Sequence, residues 1–177
     1  MRTKNFKAVA AMMFERCGVN KGLLPVVGVD GNTYYLSPTN FNNSSAYPYS
    51  TTLTLVTGAT SAGFCVGSSS VAATENDSDL VNQITSGLTA NIQQNPHLDE
   101  NDNPVVDFDL MITNTGASPV VIGEIGFRQN LYTATVADGT SLSNRLFLLD
   151  RTVLQSPVTI EAGAYAVIRY TMKTTIS

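Results

Sequence analysis

Short runs rich in β-branched residues, separated by turn residues, fill the chain from Val105 to its end. In the run 105–113, every second residue from Val106 is apolar, and Asp107, Asp109 and Met111 lie between these positions. The alternating apolar positions are Val106, Phe108, Leu110 and Ile112. Because successive side chains of a strand point to opposite faces of the sheet, this run has one buried face and one wet face. Such runs, punctuated by turn residues at short intervals, predict an antiparallel β structure.

The same period of two begins earlier in the chain. Val26–Val29 and Thr33–Leu36 flank Asp30-Gly31-Asn32, which predicts a β-hairpin. Roughly ten strands are expected in all. The remaining ones are predicted at 51–57, 62–66, 87–94, 105–113, 120–125, 146–149, 153–160 and 165–176. The crossover helices that a parallel sheet requires are missing. We therefore predict an all-β protein, an antiparallel β-sandwich of Ig-like or jelly-roll type with a short N-terminal α-helix.

The helix is predicted over residues 3–17, with Thr3 as its N-cap and Gly18 at its C-terminal end. It divides the chain into an N-terminal arm, 1–24, and a β-sandwich domain, 25–177. Two interpretations of its apolar surface stay open: the helix lies on its own domain, or it docks on a neighbouring subunit. The candidate interface residues are Phe6, Val9, Met13 and Phe14.

Three polar segments, 37–50, 67–83 and 128–145, are predicted to be loops and the main contact points with other proteins. For residues 129–145 an edge strand is kept as the alternative to a loop. Within the second of them, Thr74 is placed to cap a short helix running through Leu80 and Ile84. A long acidic loop fits the same residues, so both alternatives are kept.

The distribution of charge argues against nucleic acid as a partner. Charged residues make up only 14% of the chain, and its formal net charge is −4. No lysine or arginine occurs between Lys21 and Arg128, so a surface built from that span cannot neutralise phosphates. No segment has the roughly 18 consecutive apolar residues of a membrane-spanning helix, so no membrane partner is expected. The apolar stretch at 8–14 is too short for a signal peptide, and we expect it to be retained.

The residue types that carry catalysis are sparse. His97 is the single histidine, lies between Pro96 and Leu98, and is expected to be solvated. The glycine spacing of residues 58–63 resembles a phosphate loop but lacks the lysine that would meet the phosphate. Cys17 and Cys65 have no metal or redox spacing, and both a disulfide and two free thiols remain possible.

The acidic residues fit structural roles better than catalytic ones. Asp99, Asn101 and Asn103 alternate as calcium ligands do, but Pro104 replaces the required glycine, which favours a hydrated loop. Carboxylate pairs for glycoside hydrolysis could come only from Asp107 with Asp109 or from Glu124 with Asp150. Asp150 and Arg151 are interpreted as a structural charge pair at a strand end. We predict no catalytic, cofactor-binding or metal-binding residue, no cofactor and no enzymatic activity.

Several segments resemble small virion structural proteins of tailed bacteriophages. The resemblance begins with Thr3-Lys4-Asn5-Phe6-Lys7-Ala8 and covers most of the chain. It includes 63–68 (Gly-Phe-Cys-Val-Gly-Ser), 76–80 (Asn-Asp-Ser-Asp-Leu), 112–116 (Ile-Thr-Asn-Thr-Gly), 124–127 (Glu-Ile-Gly-Phe), 148–154 (Leu-Leu-Asp-Arg-Thr-Val-Leu) and 157–163 (Pro-Val-Thr-Ile-Glu-Ala-Gly). Glu161 stands where the pattern has a proline before Ala-Gly. The segments 112–116 and 160–163 also resemble Ig-like bacterial surface modules.

This resemblance implies a non-enzymatic virion component, made in the host cytoplasm, that assembles with other capsid or tail subunits. It would decorate the capsid, serve as a minor capsid protein or join the tail, and it would form homo-oligomers. The alternative is a receptor- or carbohydrate-binding β-sandwich module of a tail or cell surface. Its candidate contacts are Tyr34, Tyr35, Tyr47 and Tyr49.

Overall fold

A computed structural model describes residues 1–15, 24–36, 54–58, 62–134 and 142–173 of the chain; of residues 10–15, 132, 134 and 142–144 it describes the backbone alone. One helix, α1, spans Lys4–Glu15, and eight strands follow it in the described part. They are β1 (Leu24–Val27), β2 (Thr33–Leu36), β3 (Gly63–Gly67), β4 (Leu88–Leu98), β5 (Pro104–Asn114), β6 (Val120–Ala134), β7 (Leu142–Ile160) and β8 (Tyr165–Lys173). The predicted all-β class with one short helix is confirmed.

The strands form two antiparallel sheets. The larger sheet is built on β6, which pairs with β7 from Val120 to Ala134, with register shifts between Ile122 and Glu124 and between Phe127 and Arg128. Since a strand has only two edges, β3 and β2 share the other edge of β6, and β1 pairs with β2 beyond them. The smaller sheet has three strands in the order β4-β5-β8, so β4 and β8 are its edge strands.

The main hydrophobic core lies between the two sheets. Phe64 of β3 is fully buried, and its ring centroid lies 5.0 Å from that of Phe108 in β5 and 5.4 Å from that of Tyr170 in β8. Leu110, Ile112, Ile122 and Ile125 complete this contact between the sheets. The alternation that predicts one buried face for residues 105–113 is confirmed at Phe108, Leu110 and Ile112.

A second hydrophobic cluster lies under the helix. It joins β1, β2 and the far halves of β6 and β7 through Tyr34, Leu36, Phe147 and neighbouring residues, and the helix packs Phe6, Ala8 and Val9 against it. Thr3 caps the helix as predicted, since its hydroxyl accepts the N–H of Phe6. The Asn5 side chain donates to the carbonyl of Val27 at 2.7 Å and accepts the Val27 N–H at 2.9 Å, which fastens the helix to β1.

Several element boundaries differ from those predicted. The strand predicted to end at Gln94 continues to Leu98, so the hairpin tip is 99–103 and Pro96 lies within β4. The two strands predicted at 146–149 and 153–160 are one strand, β7, because a continuous β6 partner overrides the polar residues between them. Of the predicted loop at 128–145, residues through Ala134 belong to β6 and those from Leu142 to β7.

Other predictions concern the turns and the loops. The hairpin at Asp30-Gly31-Asn32 is confirmed, with Gly31 at a φ of 78°. The short helix capped by Thr74 is wrong, because Asp77 folds back to accept the N–H and the hydroxyl of Thr74 in a turn. The predicted loop at 37–50, Cys17 and Gly18 lie outside the described residues.

Candidate functional site

The segment 68–83, which we call the covering loop, lies against the face of the larger sheet that points away from the inter-sheet core. Two positions allow its backbone to approach the strands closely. A Cβ atom added at Gly67 would lie 2.5 Å from the carbonyl oxygen of Asn82, and one added at Gly123 would lie 2.7 Å from that of Ser69. Glycine is therefore required at both positions for the loop to cover this face.

Arg151 is the main polar anchor of the covering loop. Its side chain is fully buried, and its Nε donates to the equally buried Glu124 at 2.7 Å. Its Nη1 donates to Asp77 of the covering loop at 2.7 Å, and its Nη2 donates to the carbonyl of Val71 at 2.9 Å. Because the carboxylates of Glu124 and Asp77 are paired with the guanidinium, these contacts offset the cost of removing the charges from water.

Glu124 completes this network from the sheet. One carboxylate oxygen accepts the N–H of Asn82 at 2.8 Å, and the other receives the Arg151 guanidinium. Burial alone would raise the pKa of Asp77, but hydrogen bonds from Thr74 and Arg151 outweigh it and lower that pKa below its ordinary value. Asp77, for which the sequence left a short helix and a long acidic loop open, is therefore a partner of a buried cation.

Arg128 anchors the end of the covering loop in the same way. Its guanidinium is fully buried, pairs with Asp79 and donates to the Gln83 side chain at 2.9 Å. Leu80 packs against Val56 and Cys65. Cys65 is a free, buried thiol whose pKa is raised to about 12, mainly by desolvation. Such a thiol stays protonated and is not a nucleophile at neutral pH.

The acidic hairpin tip at 99–103 is held by its own chain. One carboxylate oxygen of Asp99 accepts the N–H groups of Asn101 at 2.8 Å and of Asn103 at 2.9 Å. The carboxylate also pairs with Lys173 of β8, and these donors hold the pKa of Asp99 well below its usual range. The oxygens that a calcium ion would need are already engaged with cationic and N–H donors.

Three of the carboxylates considered for hydrolysis are each engaged with a donor from another strand. Asp109 accepts two hydrogen bonds from Arg169, at 2.7 and 2.9 Å, and Asp107 accepts the hydroxyl of Thr171. Glu124 is fully buried and forms an ion pair with Arg151. The structural pairing predicted between Asp150 and Arg151 is wrong, because neighbouring side chains of a strand point to opposite faces. Both residues lie in the middle of β7, and Asp150 instead accepts the hydroxyl of Tyr170.

Two of the candidate interface residues of the helix pack against the β-strands of their own chain. Phe6 and Val9 are half-buried against the second hydrophobic cluster, with the Arg2 guanidinium 4.6 Å from the Phe6 ring centroid. Beside Phe6 lies a crevice of about 180 Å³, lined by residues of the arm and of both sheets. The side chains of Met13 and Phe14 lie outside the described residues. A contact between this surface and a neighbouring subunit stays a prediction.

The remaining candidate residues from the sequence are the single histidine and four tyrosines. His97 is exposed on β4, with its Nδ1 3.2 Å from the carbonyl oxygen of Asn95. Tyr34 is only 6% exposed, and its hydroxyl donates to Asp30 at 2.5 Å. Tyr35 is half-buried in β2, while Tyr47 and Tyr49 lie outside the described residues. Of these residues, the structure describes only His97, Tyr34 and Tyr35, and it does not place His97 in a site with the two tyrosines.

An exposed apolar stripe lies on the outer face of the three-stranded sheet. Val167 of β8 is directly opposite Met111 of β5. Tyr165 lies two residues before Val167 in β8 and therefore on the same face. Their side chains are 58%, 38% and 66% exposed, respectively. The stripe runs to the outer edge of β8, and polar rows flank it, one of them the Asp109–Arg169 pair. These three residues, which we call the β8 stripe, form the candidate interaction surface.

Sequence reasoning missed the β8 stripe. The alternation of Tyr165, Val167, Arg169 and Thr171 shows that these residues share a face, but not that this face lacks a covering layer. The same alternation applies to Cys65, Glu124 and Arg128, whose face the covering loop buries. The two faces differ only in what packs on them, which no local pattern contains.

In the described part of the chain, no group of three or more His, Cys, Asp or Glu side chains is close enough to hold a metal ion. No helix among the described residues is both long enough and apolar enough to span a membrane. The chain matches no protein-family model, no curated protein and no solved structure.

Proposed function

We propose that this chain is a non-enzymatic structural protein of a phage virion that assembles with capsid or tail subunits. The observation that carries the assembly role is the β8 stripe. Tyr165, Val167 and Met111 expose a contiguous apolar surface at the edge of a sheet, and such surfaces are typical of protein–protein contacts. The virion as its location rests on the resemblance of the segments 63–68, 124–127 and 148–154.

The buried polar groups of the described residues support a structural role. Arg128 and Arg151 are both fully buried, and their partners are carboxylates and carbonyls that tie the covering loop to the sheet. Cys65 is a buried thiol with a raised pKa. These contacts hold the covering loop on the larger sheet.

We also propose that the two sheets form a sandwich of Ig-like or jelly-roll type. Both sheets are antiparallel, they share one hydrophobic core, and their strands alternate between core-facing and outward-facing residues. A sandwich of this type presents its edges and connecting loops to partners and needs no catalytic site to do so.

No specific observation favours the alternative of a carbohydrate-binding module. Tyr34 is buried against Phe147, with ring centroids 5.8 Å apart, so it is part of the core and not a platform for a sugar ring. The other tyrosines considered do not cluster with it among the described residues.

Co-expression with the products of neighbouring genes tests the proposed function. We expect the chain to co-sediment with a capsid or tail subunit, or with assembled particles, on a density gradient. Glycan-array binding by the isolated chain, without association with any such subunit, would favour the alternative. The same gradient with a Val167→Lys variant tests whether the β8 stripe makes the contact.

A further inference from the structure

The backbone hydrogen bonds around β5 reveal which groups of β8 face its free edge. The N–H of Asn114 donates to the carbonyl of Ala164 at 2.9 Å, and Asn114 is in register with Ala164. Because hydrogen bonding alternates along an antiparallel strand, the even-numbered residues of β8 direct their N–H and C=O groups to β5. The odd-numbered residues, including Tyr165, Val167 and Arg169, direct theirs to the outer edge.

The opposite edge of the same sheet is protected against strand pairing. Next to the paired residues Leu88 and Asn114, the N–H of Thr115 donates to the carbonyl of Gly87 at 2.8 Å. The odd-numbered residues of β4 therefore direct their N–H and C=O groups to β5, and the even-numbered residues direct theirs outward. Pro96 is one of those even-numbered residues, and it removes an N–H from the free edge. β8 contains no proline, and its cations Arg169 and Lys173 are already paired with Asp109 and Asp99.

The β7 edge of the larger sheet is protected by other segments of the same chain. Arg2 forms an antiparallel bridge with Asp150 of β7, and the N–H of Thr3 donates to the carbonyl of Leu149 at 3.1 Å. Further along β7, the N–H of Val29 donates to the carbonyl of Leu146 at 3.0 Å. Of these three edges, β8 alone combines unprotected backbone groups with exposed apolar side chains in the described part of the chain.

We propose that β8 binds the β8 strand of a second copy of this chain, in antiparallel fashion, about a two-fold axis at Val167. This inference rests on the proposed assembly function, and it identifies a second copy of the chain as the partner that the β8 stripe contacts. At that register Val167 meets itself and exchanges two N–H···O=C bonds across the axis. Tyr165 of each copy lies opposite Arg169 of the other, so that a guanidinium faces an aromatic ring.

Like charges count against two other registers in which an outward-facing residue lies on the axis. An axis at Arg169 would place two arginines directly opposite each other, and an axis at Thr171 would place Arg169 opposite Lys173 of the second copy. An axis at Tyr165, the first residue of β8, would leave most of the strand without a partner. The axis at Val167 instead joins the two β8 stripes into one apolar band that includes both Met111 side chains.

The area of such a contact predicts a weak dimer. One strand edge and a stripe of three side chains bury less surface than the ~800 Å² per partner of a standard stable interface. The dimer is therefore expected to depend on concentration in solution and to be strengthened where many copies are held close together.

Sedimentation velocity of the purified full-length chain over a range of concentrations tests the dimer. We expect a concentration-dependent dimer, and we expect Val167→Pro to raise its dissociation constant by about tenfold or more. In the monomer the Val167 N–H faces the edge and makes no bond to β5. The matched control is Gln94→Pro, which removes an outward N–H from the other edge of the sheet and should leave the dimer unchanged.

Two substitutions of Tyr165 test the register. Tyr165→Arg places like charges opposite each other at both ends of the contact and should abolish the dimer. Tyr165→Glu supplies a carboxylate for Arg169 of the second copy and should retain the dimer. If Val167→Pro fails to fold by circular dichroism, Val167→Lys keeps the N–H and should weaken the dimer by disrupting the apolar band.

A wild-type chain that stays monomeric at every concentration would overturn the proposed dimer, as would a dimer unaffected by Val167→Pro and Val167→Lys. Binding to virion subunits is measured on the same preparations. A monomer that still binds those subunits, with binding lost in Val167→Pro, would mean that a strand of another protein covers β8. A dimer that binds no virion subunit would support the self-association and overturn the virion role.

Discussion

Two arginine–carboxylate pairs lie on the outer faces of the two sheets and differ in their surroundings. In both, an arginine Nε donates to a carboxylate at 2.7 Å: Arg151 to Glu124 on the larger sheet, and Arg169 to Asp109 on the smaller one. The first pair is fully buried under the covering loop, whereas the Arg169 side chain is 62% exposed. The same contact is therefore structural in one place and almost without energetic consequence in the other.

This difference shows that the layer packed on a sheet face determines whether the polar and apolar side chains of that face are buried or exposed. Under the covering loop, every buried charge must be paired because water cannot solvate it. On the outer face of β4, β5 and β8, water solvates the charges, and the apolar side chains are left exposed. We infer that the first face maintains the fold and that the second is free to bind.

The largest effect is expected for Glu124→Gln. This substitution keeps the shape of the side chain but leaves Arg151 buried with one carboxylate partner fewer. We expect the free energy of unfolding to fall by about 3–5 kcal/mol, measured by urea denaturation. A loss below ~1 kcal/mol would mean that the covering loop opens and admits water to Arg151, and the contrast between the faces would fail.

Alkaline pH should destabilise the buried side selectively. Burial raises the pKa of Cys65 from its ordinary value of 9.0 to about 12. The neutral thiol therefore contributes fully below pH 9, and this stability is lost as pH rises from 9 towards 12, at about 1.4 kcal/mol per pH unit. Denaturation at several pH values should show a shallower alkaline decline in Cys65→Ala than in the wild type. Equal declines would place Cys65 in contact with water.

Gly67→Ala tests how tightly the covering loop packs. The added Cβ would lie 2.5 Å from the carbonyl oxygen of Asn82, so the loop backbone must move away from β3. We expect a loss of about 1–3 kcal/mol in the free energy of unfolding. The control is Gly58→Ala, where a Cβ meets nothing within 4 Å, and its effect should be near zero. Similar values for the two variants would show that the loop yields freely.

The smallest effect is expected on the exposed face. Asp109→Asn removes the carboxylate that pairs with Arg169 in solvent, and we expect the free energy of unfolding to change by less than ~1 kcal/mol. This residue is the counterpart of Glu124, since in both pairs an arginine Nε donates to a carboxylate at 2.7 Å. Thermal denaturation of the two variants in low and high salt compares them directly, and a larger loss in Asp109→Asn would reverse the proposed roles of the two faces.

Part of the candidate site could be predicted from the sequence. The alternation in residues 105–113 and 165–173 identified which side chains share a face, and the absence of lysine and arginine between Lys21 and Arg128 defined an acidic segment. The partners of that segment are far away in the chain: Asp77 meets Arg151, and Asp79 meets Arg128. Sequence spacing carries no information on such contacts, so the segment was predicted to be an exposed loop or a helix.

The sequence by itself determined the period of two, the hairpin at Asp30-Gly31-Asn32 and the Thr3 cap of the helix. These features follow from local backbone preferences and from side chains only a few residues apart. Only the tertiary structure decided that β7 is continuous, that two arginines are buried and that the β8 stripe remains exposed. The physical reason is that burial depends on which segment covers a face, and this is set by contacts between residues distant in the chain.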